Sequence, residues 1–137
     1  MKAILLILLI FAAISVFSQN TGNIDTRLYA KYSSEYLEKL RAEHPEKLDY
    51  LNFCVHNQCY VVDMPGKPVP AIELTKTEDP GYQITASDLL NFNMLEYNIF
   101  SSVNDQKYYK AGNSGKMIIV RSEKMMRQLY DNSKRIK

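Results

Sequence analysis

Cysteine and histidine are scarce in this chain: two of each among 137 residues. The cysteines are Cys54 and Cys59, and the histidines are His44 and His56. That scarcity weighs against a metal centre. A closed zinc site takes four ligands, and Cys54, His56 and Cys59 supply three. Asp63 would have to be recruited, and nothing in the spacing demands it. His44 stands beside Pro45 at the end of a predicted helix. No metal and no cofactor is therefore assigned. Long basic stretches are also missing. Lys and Arg number 17 against 15 acids, so the chain is close to neutral. The one short basic cluster, Lys134, Arg135 and Lys137, follows a predicted helix, where cations suit the dipole. Nucleic acid is not an expected partner.

The familiar catalytic patterns are absent too. No Ser/His/Asp order, paired-carboxylate pattern or phosphate-cradling loop stands out. Gly112-Asn113-Ser114-Gly115-Lys116 imitates two motifs and satisfies neither. A P-loop needs four residues between its glycines and a helix after the lysine. Here two residues intervene and a strand pattern follows. A nucleophile elbow needs glycine two places after the serine, where this chain has Lys116. The stretch reads as a hairpin loop.

What is present is organised around residues 50–63. Read as a β-hairpin turning at His56-Asn57, this stretch collects Leu51, Phe53, Val55, Tyr60 and Val62 on one face. The other face collects Tyr50, Asn52, Cys54, Cys59, Val61 and Asp63. The same register places Cys54 opposite Cys59 in a non-hydrogen-bonded pair, within disulfide reach. In an exported chain with two cysteines, a structural disulfide is the economical expectation. The alternatives are a redox-active pair, with His56 lowering a thiol pKa, and a metal site or free thiols.

Export is expected from residues 1–18. Lys2 supplies a positive start, residues 3–17 are apolar except for Ser15, and Val16-Phe17-Ser18 places small residues before a cut at Gln19. The apolar run is shorter than the roughly 20 residues of a membrane-spanning helix. No cysteine stands at the cut, so lipid attachment there is excluded. Residues 19–137 then form one domain, without a membrane span.

Along that domain, a helix is predicted from about Thr26 to Glu43. Asp25 is its N-cap, and Leu28, Tyr29, Tyr32, Tyr36, Leu37 and Leu40 form an apolar stripe. The tyrosines suit either a helix packed on a sheet or a binding face. His44-Pro45 ends this helix, and residues 46–49 add one further turn. Pro65-Gly66-Lys67-Pro68-Val69-Pro70 is a stiff loop, because prolines cannot donate to a ladder. A third strand is predicted over residues 71–76, with Ile72 and Leu74 inward. Thr85 and Asp88 start a short helix, with Ile84 and Leu89 as its staple. Leu95, Tyr97 and Ile99 alternate as a fourth strand. Residues 106–111 and 116–121 form a second hairpin, in which Met117-Ile118-Ile119-Val120 reads as a central strand. Ser122 caps a last helix running from Glu123 to about Ser133. The order α-βββ-α-βββ-α argues for an α+β fold with three helices and a mainly antiparallel sheet built from two strand groups.

The signal ending Val16-Phe17-Ser18-Gln19 and the segments Asp88-Leu89-Leu90-Asn91-Phe92-Asn93 and Gln106-Lys107-Tyr108-Tyr109-Lys110 carry a resemblance. The chain resembles uncharacterised small exported proteins of the Bacteroidota. The resemblance implies an envelope or secreted location and carries over no functional residue.

Together these readings favour a small exported module, periplasmic or extracellular, that binds a protein or small ligand of the cell envelope. It would suit a subunit of an envelope assembly. Tyr29, Tyr32 and Tyr36, with His56 and Asp63 on the hairpin, are the candidate binding surface. The competing class is a small exported enzyme, either a thiol-redox protein using Cys54 and Cys59 or another hydrolytic activity. A redox enzyme needs an accessible cysteine of low pKa beside a concave site. A module needs an exposed apolar or tyrosine-rich patch instead.

Overall fold

Ser122 shows how local chemistry starts an element in this fold. In the computed structural model, which describes residues 22–136, its side chain accepts a hydrogen bond from the Met125 N–H at 3.3 Å. This caps the helix α3, Glu123–Arg135. The helix ends with Lys134 and Arg135, where cations offset the dipole. The expected leader, residues 1–18, lies outside the described residues.

The second hairpin forms as its sequence predicts. Strands β3, Lys107–Lys110, and β4, Lys116–Val120, pair antiparallel with Tyr109 opposite Ile118. Gly112 and Gly115 take positive φ, 51° and 72°, which the tight connection requires and other side chains resist. A Cβ on Gly112 would also come within 3.2 Å of the Ile84 carbonyl.

Residues 50–63 do not form a hairpin. They divide between helix α2, Pro45–Asn57, and strand β1, Cys59–Asp63. The reason lies in overlapping periodicities. Leu51, Phe53 and Val55 alternate, but Leu48, Leu51 and Val55 also recur at helical spacing. A short apolar run satisfies both patterns. Pro45 at the first helical position favours the helix, since it lacks only an N–H that would be unpaired anyway. Strand β1 then finds β4 as its partner, with Val61 opposite Ile118.

The predicted first helix is also divided. Asp25 does accept from the Arg27 N–H at 2.9 Å, but it starts only a 3₁₀ helix, Thr26–Ala30. Ser33 then starts helix α1, Ser34–Glu43, by accepting from the Tyr36 N–H at 3.2 Å. The expected strand at residues 95–99 is likewise replaced. Asn93 accepts from the Leu95 N–H at 3.2 Å and turns the chain into a 3₁₀ helix, Met94–Glu96. Only a single bridge, Lys76 to Tyr97, survives of that pairing. The third predicted strand shortens to β2, Ile72–Glu73, in which Ile72 is exposed while the neighbouring Leu74 is buried. The Thr85–Asp88 start holds only in part: Asp88 accepts from both the N–H and the hydroxyl of Thr85, at 2.8 and 2.7 Å, but the N-cap is Ala86, which makes no side-chain cap bond. It opens only a 3₁₀ turn, Ser87–Leu89.

The fold is thus α+β, with three α-helices among the described residues, but its sheet is mixed rather than mainly antiparallel. The strand order is β1-β4-β3-β2. The β2–β3 pairing is parallel, and the other two are antiparallel. Among the described residues, two apolar clusters hold the fold together. One lies on the sheet and includes Leu74, Ile84, Leu89, Tyr97, Tyr109, Ile118 and Val120. The other joins the helices through Leu28, Leu37, Leu40, Leu48 and Val55. The segment 95–99 links them, because Leu95 packs on the helical cluster while Tyr97 and Ile99 pack on the sheet cluster. Asn93 adds a polar tie by donating to the Arg27 carbonyl at 3.1 Å.

Candidate functional site

Helices α2 and α3 each bring an aromatic ring to their junction. On α2, Tyr50 and Phe53 are three residues apart and share a face. On α3, Tyr130 sits between them. Its ring centroid is 5.0 Å from that of Tyr50 and 5.3 Å from that of Phe53, both in edge-to-face geometry. Such pairs are worth about 0.5–1.5 kcal/mol beyond area burial. The Tyr130 hydroxyl donates to Asp49 Oδ2 at 2.7 Å, and Lys134 pairs with the same carboxylate. These bonds fix the Tyr130 ring from its polar end.

Arg127, one turn before Tyr130, lays its guanidinium 4.2 Å from the Tyr50 ring centroid. Helix α1 contributes Tyr36 and Leu40. Together these residues line a groove of about 460 Å³, with Lys47, Glu46 and Leu51 completing it. That volume falls in the range of small-ligand sites. Tyr36 is 47% exposed, so one ring wall is open to a partner. Tyr36 also stacks on Tyr32, with centroids 5.6 Å apart and an interplanar angle of 23°. Beyond that stack lies a second hollow of about 370 Å³, lined by Tyr32, Leu51, Cys54, Phe100 and Glu123 among others. Leu51 borders both hollows.

Three of the phenols here, Tyr32, Tyr50 and Tyr130, hold their protons at neutral pH. Burial pushes Tyr50 up to about 12, and burial also raises Tyr32 and Tyr130. The walls are therefore neutral rings with hydrogen-bonding tips, beside the cations of Arg127 and Lys47. Such a surface can stack a flat ligand face and hold a polar edge. Another hollow, of about 590 Å³, is less suited. Phe92 is its only aromatic lining residue, and Asn93 there is already bonded to Arg27 and Leu95.

The residues singled out from sequence do not form one surface. Tyr32 and Tyr36 reach the grooves. Tyr29 is exposed but lines neither. His56 lies at the end of α2, where its Nε2 contacts the Asp25 carboxylate and its Nδ1 lies 3.1 Å from an Arg27 guanidinium nitrogen. It helps hold the first 3₁₀ helix. Asp63 ends β1 and pairs with Lys116 at 2.5 Å, which lowers its carboxyl pKa. Sequence reasoning does not single out Tyr50 or Arg127 as groove residues. The helical spacing of Leu48, Leu51 and Val55 would have placed Tyr50 on a neighbouring face.

The disulfide expectation is corrected. Cys54 and Cys59 are free thiols, because one sits on α2 and the other on β1 rather than on paired strands. Their surroundings also argue against redox catalysis. Burial raises the Cys54 thiol above its ordinary value, against the weaker pulls of the Tyr50 hydroxyl and Arg127. Burial pushes Cys59 up to about 12, and its Sγ rests 3.7 Å from Met94 Sδ. A reactive cysteine needs the opposite shift. Thiol titration of the denatured, unreduced protein should find two thiols, whereas a native sample at pH 8 should label slowly at Cys59. Finding no thiol after denaturation would restore the bridge.

Among the described residues, no group of three or more His, Cys, Asp or Glu side chains is placed to hold a metal ion. No described helix is long and apolar enough to cross a membrane. Compared with protein-family models, curated proteins and solved structures, the chain matches none.

Proposed function

We propose that this chain is a small exported binding module of the cell envelope, periplasmic or extracellular. Its groove between α1, α2 and α3 takes a protein segment or small ligand with a flat face and a polar edge. The observation that carries this reading is the set of tyrosine rings at that junction, with Arg127 stacked over Tyr50. The positive start and apolar run of residues 1–18 support export. A role within an envelope assembly follows from the same location, with the groove as the contact.

Capture from an envelope extract by residues 19–137 tests the reading when groove variants are run beside it. Tyr36→Ala and Arg127→Gln change exposed side chains and should leave the fold intact. Each should weaken retention of the captured species by roughly tenfold or more, as expected for truncated aromatic or arginine anchors. Tyr29→Ala, similarly exposed but off the groove, should retain it. Equal capture by all three variants would remove the groove from the argument.

A further inference from the structure

Among the described residues, strand β1 has one neighbour in the sheet, β4. Two flanking hydrogen bonds set which of its backbone groups face that neighbour. The Arg121 N–H donates to the Gln58 carbonyl at 2.8 Å, and the Met64 N–H donates to the Gly115 carbonyl at 2.9 Å. Residues 58 and 64 are thus in hydrogen-bonded pairs with β4. Antiparallel ladders alternate, so Tyr60 and Val62 also bond to β4. Cys59, Val61 and Asp63 then point their N–H and C=O groups away from the sheet. Among the described residues, no backbone hydrogen bond reaches these groups. Backbone groups left in this way must meet water or another chain.

The edge carries a single charge, Asp63 at its end. It has no proline, no lysine and no bulge across its five residues. Its outward positions, 59, 61 and 63, are also symmetric about Val61. We propose that β1 is the contact through which a second copy of this chain docks, antiparallel across a two-fold axis at Val61. In that arrangement Val61 faces Val61 of the other copy, and Cys59 faces Asp63. All three are hydrogen-bonded pairs, giving about six main-chain bonds and one continuous eight-stranded sheet. Tyr60 of one copy then lies opposite Val62 of the other in the close, non-hydrogen-bonded position. Aromatic and β-branched residues pair favourably there. The two Asp63 carboxylates fall at opposite ends, each beside its own Lys116, so no like charges meet.

The contact is independent of the groove, and its test is too. Sedimentation of residues 19–137 over a concentration series should show a monomer–dimer equilibrium. Amide exchange followed by NMR should show the Val61 and Asp63 N–H groups protected only as concentration rises. The Tyr60 and Val62 N–H groups should be protected throughout. Val61→Pro removes an outward donor and leaves the β4 bonds in place, so it should weaken dimerisation at least tenfold while the helical and strand signals persist. If that variant fails to fold, Tyr60→Lys replaces the half-buried aromatic partner of Val62 across the two-fold contact by a charged side chain and should have the same effect on assembly. A chain monomeric up to about millimolar concentration, where even weak association of about 4 kcal/mol would register, overturns the proposal. So does a dimer that survives both substitutions, or concentration-independent exchange at Val61. A monomer that instead gains protection at Val61 from an added extended peptide also overturns the second-copy assignment.

Discussion

Replacing Tyr109 by alanine is expected to unfold the domain or leave it barely stable. Tyr109 is the largest of the fully enclosed side chains, 2% exposed on the central hairpin. It lies opposite Ile118 on β4 and packs in the cluster that also holds Leu74, Tyr97 and Val120. Truncating a buried aromatic costs roughly 3–5 kcal/mol, which is a large share of a typical domain's stability. The hydroxyl adds a separable part. It accepts from the Phe100 N–H at 3.0 Å and so pins the 97–101 segment over the sheet. Tyr109→Phe keeps the ring but leaves that N–H to find water. Phe100 is itself exposed, so the loss should be about 1 kcal/mol. Chemical denaturation of the three proteins checks the ordering. A Tyr109→Ala protein as stable as Tyr109→Phe would show that the sheet cluster does not hold the fold.

Helix α1 offers the second large effect, and it separates core from surface within adjacent residues. Leu37 is fully enclosed between Leu28, Leu40, Leu48 and Val55. Leu37→Ala should cost about 2–5 kcal/mol through lost transfer energy and the cavity left behind. Tyr36, one residue earlier, is 47% exposed and touches chiefly the Tyr32 ring. Tyr36→Ala should cost about 1 kcal/mol or less in stability. Tyr32 is intermediate, since it packs on the helical cluster while its ring borders a groove. Its truncation should fall between the two. Thermal unfolding of the series decides the matter. Equal losses for positions 36 and 37 would place the tyrosine in the core and withdraw it from the candidate site.

These contrasts show where sequence and tertiary structure each spoke. Elements with strong local chemistry were legible in the sequence. Ser122 capped α3, the glycines at 112 and 115 turned the β3–β4 hairpin, and His44-Pro45 closed α1. Each depends on atoms within a few residues, so no distant contact can readily overrule it. The continuous apolar run of β4 also identified a central strand, because both its edges and its core-facing side chains needed partners. By contrast, the sequence makes Asp25 the cap of one long helix. Its bond to Arg27 is real, but Ser33 supplies a second cap, and the choice between one helix and two rested on packing around Leu28.

Apart from Pro45, which favours a helix start, residues 45–57 were decided by the tertiary structure. Their apolar residues satisfy a two-residue and a helical period together, so local pattern cannot choose. The helix wins where Leu48 and Val55 can enter a cluster with Leu28, Leu37 and Leu40, partners that come from elsewhere in the chain. That outcome separated the two cysteines and sent β1 to β4. It also turned Tyr50 toward Tyr130, some eighty residues away in sequence. The chain itself determined composition, caps, turns and the central strand, because these rest on short-range chemistry. The thiols' separation, the mixed sheet, the open β1 edge and the tyrosine groove came from long-range packing, where burial of apolar area outweighs a weak local preference.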